Sequence, residues 1–237
     1  MARNRFFLVI STLFLAVVLI GFSRSFYLKS YFDFPQLPAH LYVHGIALTA
    51  WFSLACAQPW LIGIKKVELH RRIGVAGIAV AISVVLTGLW TLIVRDAPEI
   101  GQNPSRAAGN IASLLMFLLC VVFGIAFRRN RGMHKRLMLM ASIPILAPAL
   151  DRFARIPVMN EFWGKMLYWI PAPPEVAFAI LGFLLLLLLV VVNDIISERH
   201  VHRGTLVGLL SVLVLAPLLT YLIISFGLWV RLVVWVT

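Results

Sequence analysis

The seventeen residues 176–192, "VAFAILGFLLLLLLVVV", contain no charged side chain. A helix that crosses a bilayer needs about 20 predominantly apolar residues, and runs of this kind recur along the whole chain. They fall at about 6–22, 41–63, 74–94, 109–127, 137–150, 175–192 and 205–228. The pattern predicts an all-α, polytopic membrane bundle of about seven transmembrane helices, forming a single integral domain over 1–237. Composition agrees, since only 13% of the 237 residues are charged, against about 25% in a soluble domain. The first run, "FFLVISTLFLAVVLIGF", follows basic residues as a signal peptide does. No small-x-small cleavage site closes it, so it reads as a spanning helix. The fifth run is short, and Pro144 and Pro148 are expected to kink it or end it early. Cys56 and Cys120 both fall inside apolar runs. They read as small core residues, which leaves neither a disulfide framework nor a cysteine metal site.

The loops then give an orientation. With the N-terminus in the cytoplasm, the loops on that side carry Arg3, Arg5, Lys65, Lys66, Arg71, Arg72, Arg128, Arg129, Arg131, Lys135, Arg136, Arg199 and Arg203. Those thirteen cations stand against Glu68, Asp194 and Glu198, while the other side has eight cations and six acids. This satisfies the positive-inside rule. The net charge of +12 therefore reads as orientation and as contact with anionic headgroups of the lipid bilayer, not as a nucleic-acid surface. The opposite face carries aromatic and proline-rich segments, "SFYLKSYFDFPQLP" at 25–38 and "MNEFWGKMLYWIPAPP" at 159–174. With Trp163, Tyr168 and Trp169, these suit an interfacial belt or a short helix lying on the membrane surface.

Three boundaries share a motif. "ELHRRIG" at 68–74, "GMHKRLM" at 132–138 and "HVHRGTL" at 200–206 each place a histidine and a cation before an apolar run. The separations, 64 and 68 residues, each match one helical hairpin, so His70, His134 and His202 read as an internal repeat opening helices three, five and seven. Cations at helix N-termini are disfavoured by the helix dipole, by about 0.3–1 kcal/mol each. They need solvent, lipid phosphate or a bound anion. Topogenic loops with interfacial histidines satisfy that need. So does a haem, with imidazole on iron and propionates on Arg71, Arg72, Lys135 and Arg136. Asp194, eight residues before His202, offers a carboxylate at the same depth. With the three histidines it could hold zinc or another transition metal, or it could cap its helix or pair with Arg199 or Arg203. His200 has no repeat partner.

On the outer side, "AHLYVHGIALTAW" at 39–51 puts His40 and His44 one helical turn apart on one face. They could share a metal, with Asp151 in "ALDRFARIP" as third ligand. Gln58 lies deep enough in its run to require a partner, while Asn110 and Ser113 read as interhelical glue. Every Asp and Glu sits near a span end, which argues against an ion-translocating transporter.

The order of His-x3-His, "AWFSLACAQPWL", a short basic loop and "LHRRIG", followed by "MHKRLML" and "ND…HVHRGTL", resembles uncharacterised bacterial polytopic membrane-protein families with His-Arg-Arg loop motifs. These are distantly similar to the superfamily of b-type two-haem membrane cytochromes. The resemblance implies a helical bundle in the bacterial inner membrane, with histidine-ligated haem or metal at the membrane faces. His70 and His134 would be one ligand pair and His44 a ligand on the other side. Helix four has no histidine, and His40 shares a helix with His44, so the pattern supports one bis-histidine haem. No Cys-x-x-Cys-His attachment motif is present, so a haem would be non-covalent. The leading expectation is a redox or respiratory-assembly protein of the inner membrane, working with a membrane partner or as a homo-oligomer. A membrane-embedded metal-dependent lipid hydrolase, using the same His/His/Asp/His set to activate water, is the second. A non-enzymatic scaffold or small transporter is the third. No nucleotide-binding glycine loop or Ser-His-Asp order is present.

Overall fold

A computed structural model describes residues 2–96, 104–170 and 173–227, all of whose regular elements are helical. Residue 228 of the last expected span, residues 171 and 172 of the aromatic segment, and Glu99 and Arg231 of the charge count lie outside the described residues. In chain order the helices are α1 (Ala2–Gly21), α2 (Ala39–Gly63), α3 (Val67–Thr91), α4 (Pro104–Ala126), α5 (Arg131–Ser142), α6 (Ala147–Ala154), α7 (Pro157–Met166), α8 (Pro174–Glu198), α9 (Arg203–Leu210) and α10 (Ala216–Ser225). A 3-10 turn over Pro144–Leu146 joins α5 to α6, and a π turn over Ser211–Leu215 joins α9 to α10.

Six helical stretches are long and apolar enough to cross a membrane: Ala39–Gly63, Val67–Arg95, Ser105–Ala126, Arg131–Ala154, Pro174–Glu198 and Arg203–Ser225. The first expected span corresponds to a shorter apolar helix, Arg5–Gly21. Several helices begin before the apolar run, because long cationic side chains extend toward water while their backbone stays helical. The prolines of the fifth run neither shorten it nor end it. Pro144 has no N–H to give an α bond, so the chain tightens into one 3-10 turn, and helix resumes through Ala154.

Within the bundle, α2 packs along α3 and α1, α4 lies on α5 and α10, α6 packs on α1 and α8, and α5 on α9. The α5–α6 stretch forms the centre, with Leu137, Met140, Ala141, Ile143, Leu146 and Ala154 fully buried. Across it, Trp51 Nε1 donates to Ser142 Oγ at 3.0 Å, and the Trp51 ring meets Phe117 edge-on at 4.8 Å. Those contacts tie α2 and α4 to α5. Outward, α8 exposes Ile180, Leu181, Leu184, Leu185, Leu188, Ile195 and Ile196. An apolar face of that extent needs lipid or protein against it. Cys120 is buried and Cys56 half-buried, and both thiols are free. Trp163 packs on Phe178 with ring centres 4.6 Å apart, whereas Tyr168 and Trp169 are exposed just beyond α7. Ser113 lines a shallow cleft between α4 and α10.

At Gly21 the backbones of α1 and α6 come together, and an added Cβ would lie 2.3 Å from the Ala149 carbonyl oxygen. A backbone oxygen in two packed helices cannot yield as a flexible side chain would. Gly21→Ala is expected to lower stability by about 1–3 kcal/mol, read as a fall in the thermal midpoint in detergent. Gly63→Ala, with nothing within 4 Å of the new methyl, should leave the midpoint unchanged or slightly raised.

Candidate functional site

The turns α2–α3, α4–α5 and α8–α9 gather at one end of the bundle, which carries most of the exposed arginines. His70 lies in the first turn of α3, His134 is the fourth residue of α5, and His202 is the N-cap of α9. The repeated motif therefore converges in space, but its three imidazoles do not meet at one point.

His70 and His134 face each other, with ring centres 6.5 Å apart and planes at 89°. Both are half-buried. His134 Nδ1 lies 2.7 Å from the Gly124 carbonyl oxygen. A carbonyl only accepts, so Nδ1 carries the proton and Nε2 keeps a lone pair. Gln58 supplies the neighbour of His70. In the orientation that satisfies its surroundings, the Gln58 amide nitrogen donates to His70 Nδ1 and, at 3.2 Å, to the His70 carbonyl, while its oxygen accepts from Gly74 N at 3.2 Å. The partner that membrane burial demanded of Gln58 is thus the histidine itself.

His202 turns away from that pair. Its Nδ1 accepts the Gly204 N–H at 2.9 Å, capping α9. Its Nε2 edge rests on the α5 backbone at Gly132, where a Cβ would stand 2.5 Å from the nitrogen. His200 is exposed, with Nδ1 on the Glu198 carbonyl at 2.8 Å. Burial, and then the Arg136 guanidinium, hold the His202 imidazole below the ordinary histidine range.

The deepest polar contact at this end is one that the sequence did not announce. Arg136 and Asp194, on α5 and α8, are both 0% exposed. Arg136 Nε donates to both Asp194 oxygens at 2.9 and 3.1 Å, and its terminal nitrogens reach Asp194 Oδ1, Glu198 Oε1 at 2.7 Å and the Gly132 carbonyl at 3.1 Å. Asp194 also accepts the His202 N–H at 3.1 Å and the Thr205 hydroxyl. Its carboxylate therefore faces donors on every side and has no position left for a metal. The expectations for this pair need correction. Asp194 pairs with Arg136 rather than with Arg199 or Arg203, and among the described residues it belongs to no group of three or more possible metal ligands. Arg136 spends its guanidinium on Asp194, Glu198 and the Gly132 carbonyl. The overlooked signal is periodicity: Arg136 falls on the same inward face of α5 as Met140 and Ile143, where a cation needs an acid.

The other cations are dispersed. Lys135 Nζ sits 4.5 Å from the centre of the Phe7 ring, Arg72 pairs with Glu68 at 3.2 Å on the surface, and Arg71 is exposed beside His70. At the opposite end, His40 is buried against Trp90 at 5.9 Å. The Thr87 hydroxyl donates to the Ser83 carbonyl at 2.6 Å and accepts from His44 Nδ1 at 2.9 Å. Asp151 is held by Arg155 through two bonds of 3.0 Å and does not join the pair. Among the described residues, no group of three or more His, Cys, Asp or Glu side chains is placed to hold a metal ion. Neither the His70/His134/His202/Asp194 set nor the His40/His44/Asp151 set is assembled.

Comparison with family models, curated proteins and solved structures gives no match to this chain.

Two outcomes follow from the buried network. Arg136→Met leaves the buried Asp194 carboxylate without its cation and should cost about 3–5 kcal/mol of stability. Asp194→Leu should cost less, because Arg136 keeps Glu198 Oε1 at 2.7 Å, and the double substitution should cost less than Arg136→Met, as measured by unfolding in detergent. His202 contributes as a neutral cap, because a proton on Nδ1 removes the acceptor. That contribution is complete above the unfolded histidine value of about 6.5 and is lost as pH falls below it. The thermal midpoint should therefore drop on acidification from pH 7 toward 5, with a shallower slope in His202→Asn.

Proposed function

We propose that the chain is a multi-pass protein of the bacterial inner membrane, with seven spans and a cytoplasmic N-terminus, that holds a non-covalent b-type haem between His70 and His134. Its role is electron transfer or the assembly of a respiratory complex. The orientation rests on the positive-inside rule, since the turns nearest the histidines carry Lys65, Lys66, Arg128, Arg129, Arg131, Arg199 and Arg203.

The observation that carries the haem reading is the spacing of the two rings. With metal–nitrogen bonds of about 2 Å and roughly 1 Å more from nitrogen to ring centre, two imidazoles that share one metal stand about 5–6 Å apart, and His70 and His134, at 6.5 Å, are the two residues that would hold the iron. A tetrahedral zinc would be two ligands short here, because no third donor joins the pair among the described residues. The haem reading is therefore favoured over the lipid hydrolase. His134 supports it further, because a ligating histidine usually donates its other N–H to a carbonyl or carboxylate, as His134 does to Gly124. Arg71, exposed beside His70, would take a propionate, whereas Arg136 is committed to Asp194. Such a haem would supply one-electron exchange. The chain's own part is to ligate it, orient the imidazoles and shield it within the bundle.

The test is an absorption spectrum of the detergent-purified protein, oxidised and dithionite-reduced, with metal analysis of the same sample. A reduced b-type band is expected, lost in His70→Ala and in His134→Ala but kept in His40→Ala and His44→Ala. If protein made with ample haem and metal carries neither, the pair is an edge-to-face packing contact and the reading fails. Stoichiometric zinc without a haem band would restore the hydrolase.

A further inference from the structure

We propose that Gln58 is a positioning residue that holds His70 with its proton on Nε2, so that its amide must turn over before His70 can ligate a metal. Only this last step rests on the haem reading.

The α2–α3 hairpin folds back through Lys65, which adopts a left-handed conformation (φ 62°), and this brings Gln58 beside the first turns of α3. Pro59 follows it inside α2, with φ fixed by its ring. The Gln58 side chain then meets three groups whose roles differ. The His70 carbonyl can only accept, the Gly74 N–H can only donate, and His70 Nδ1 can do either. With nitrogen toward His70 and oxygen toward Gly74, all three are satisfied. Turned over, the amide oxygen would face the His70 carbonyl oxygen, and the amide N–H groups would face the Gly74 N–H. The two fixed partners therefore choose the amide orientation, and the amide chooses the tautomer of His70. Nδ1 becomes the acceptor and Nε2 carries the proton.

The facing ring is set the opposite way. The Gly124 carbonyl holds the proton of His134 on Nδ1 and leaves Nε2 as a lone pair. One imidazole of the pair thus carries its proton on Nε2 and the other keeps a lone pair there. A metal needs a lone pair from each, so His134 is ready to ligate and His70 is not. Conversion moves one proton from Nε2 to Nδ1 of His70, with no net proton gained or released. It also requires Gln58 to offer its oxygen to the new N–H, giving up its bonds to the His70 carbonyl and Gly74. With a metal at the site, His134 would hold it as it stands, and His70 would do so only after Gln58 turns over.

The experiment uses the full chain in detergent, 15N-labelled at histidine and free of haem, with ring signals assigned through His70→Ala and His134→Ala. His70 is expected as the Nε2–H tautomer and His134 as the Nδ1–H tautomer; a proton on Nδ1 of His70 overturns the proposal. In Gln58→Glu a carboxylate that only accepts should move the His70 proton to Nδ1 and leave His134 unchanged. In Gln58→Leu, which also serves if the glutamate variant does not fold, His70 should become a mixture of tautomers. An unaltered His70 in either variant overturns the proposal. Haem titration then reads the ligation step. Gln58→Glu should bind about tenfold tighter than the parent, in line with the effect of groups behind metal ligands, with Gln58→Leu in between. If both variants bind no tighter than the parent, the gating step is wrong. Tautomers as expected in a protein that takes up no haem would uphold the hold on His70 and sink the haem reading alone.

Discussion

The bond between Arg136 and Asp194 sets the geometry of the basic end. Two opposite charges at zero exposure are stable only when each meets nearly all the hydrogen-bonding capacity of the other, and here Glu198, Thr205 and the His202 amide complete the set. That requirement fixes more than three helix positions. Arg136 and His134 are two residues apart, so they leave α5 on nearly opposite sides. With Arg136 locked onto α8, α5 has one rotation about its axis, and that rotation aims His134 at α3. The ring pair therefore depends on an ion pair that touches neither ring. Gly132 has its place in the same logic: its bare backbone lets the Nε2 edge of His202 rest against α5 where any side chain would hold α9 away.

The three copies of the His-plus-cation motif end in three different chemical situations. His70 is governed by a side-chain amide, His134 by a main-chain carbonyl, and His202 by the helix N-terminus it caps. A shared sequence context placed them at one depth and one end of the bundle. Their chemistry was decided by the partner each Nδ1 found, and each partner comes from a segment well removed in sequence or from the local turn. Convergence at one end is legible in a repeat, but the identity of a hydrogen-bond partner is not.

The same division runs through the rest of the molecule. Hydropathy placed the apolar cores of the helices within a few residues, because desolvation acts on each run separately. It could not place their first turns, where Val67–Glu68–Leu69 and Arg131–Gly132–Met133 are already helix. Pro144 announced an interruption, but whether helix resumed depended on the packing of Ala149, Leu150 and Ala154 against α1 and α8. Gln58 was recognisable as a polar residue in need of a partner, while the partner itself required the α2–α3 hairpin. Arg136 was hidden in a basic loop motif. Only its register with the buried Met140 and Ile143 marked it as an inward-facing cation, and Asp194 lies 58 residues further on.

The central position of the α5–α6 stretch bears on how such a chain enters a bilayer. Its N-terminal turns carry Arg131, Lys135 and Arg136, and its middle is broken by a 3-10 turn, so it is poorly suited to leaving the translocation channel by itself. The carboxylate that neutralises Arg136 belongs to α8, which is synthesised later. Until α8 is made the guanidinium has no Asp194 to neutralise it, and its burial is complete only once α8 arrives and α9 closes over it. Helices made later thus complete the burial of one made earlier, and a chain truncated before Asp194 would leave Arg136 on α5 without its buried partner.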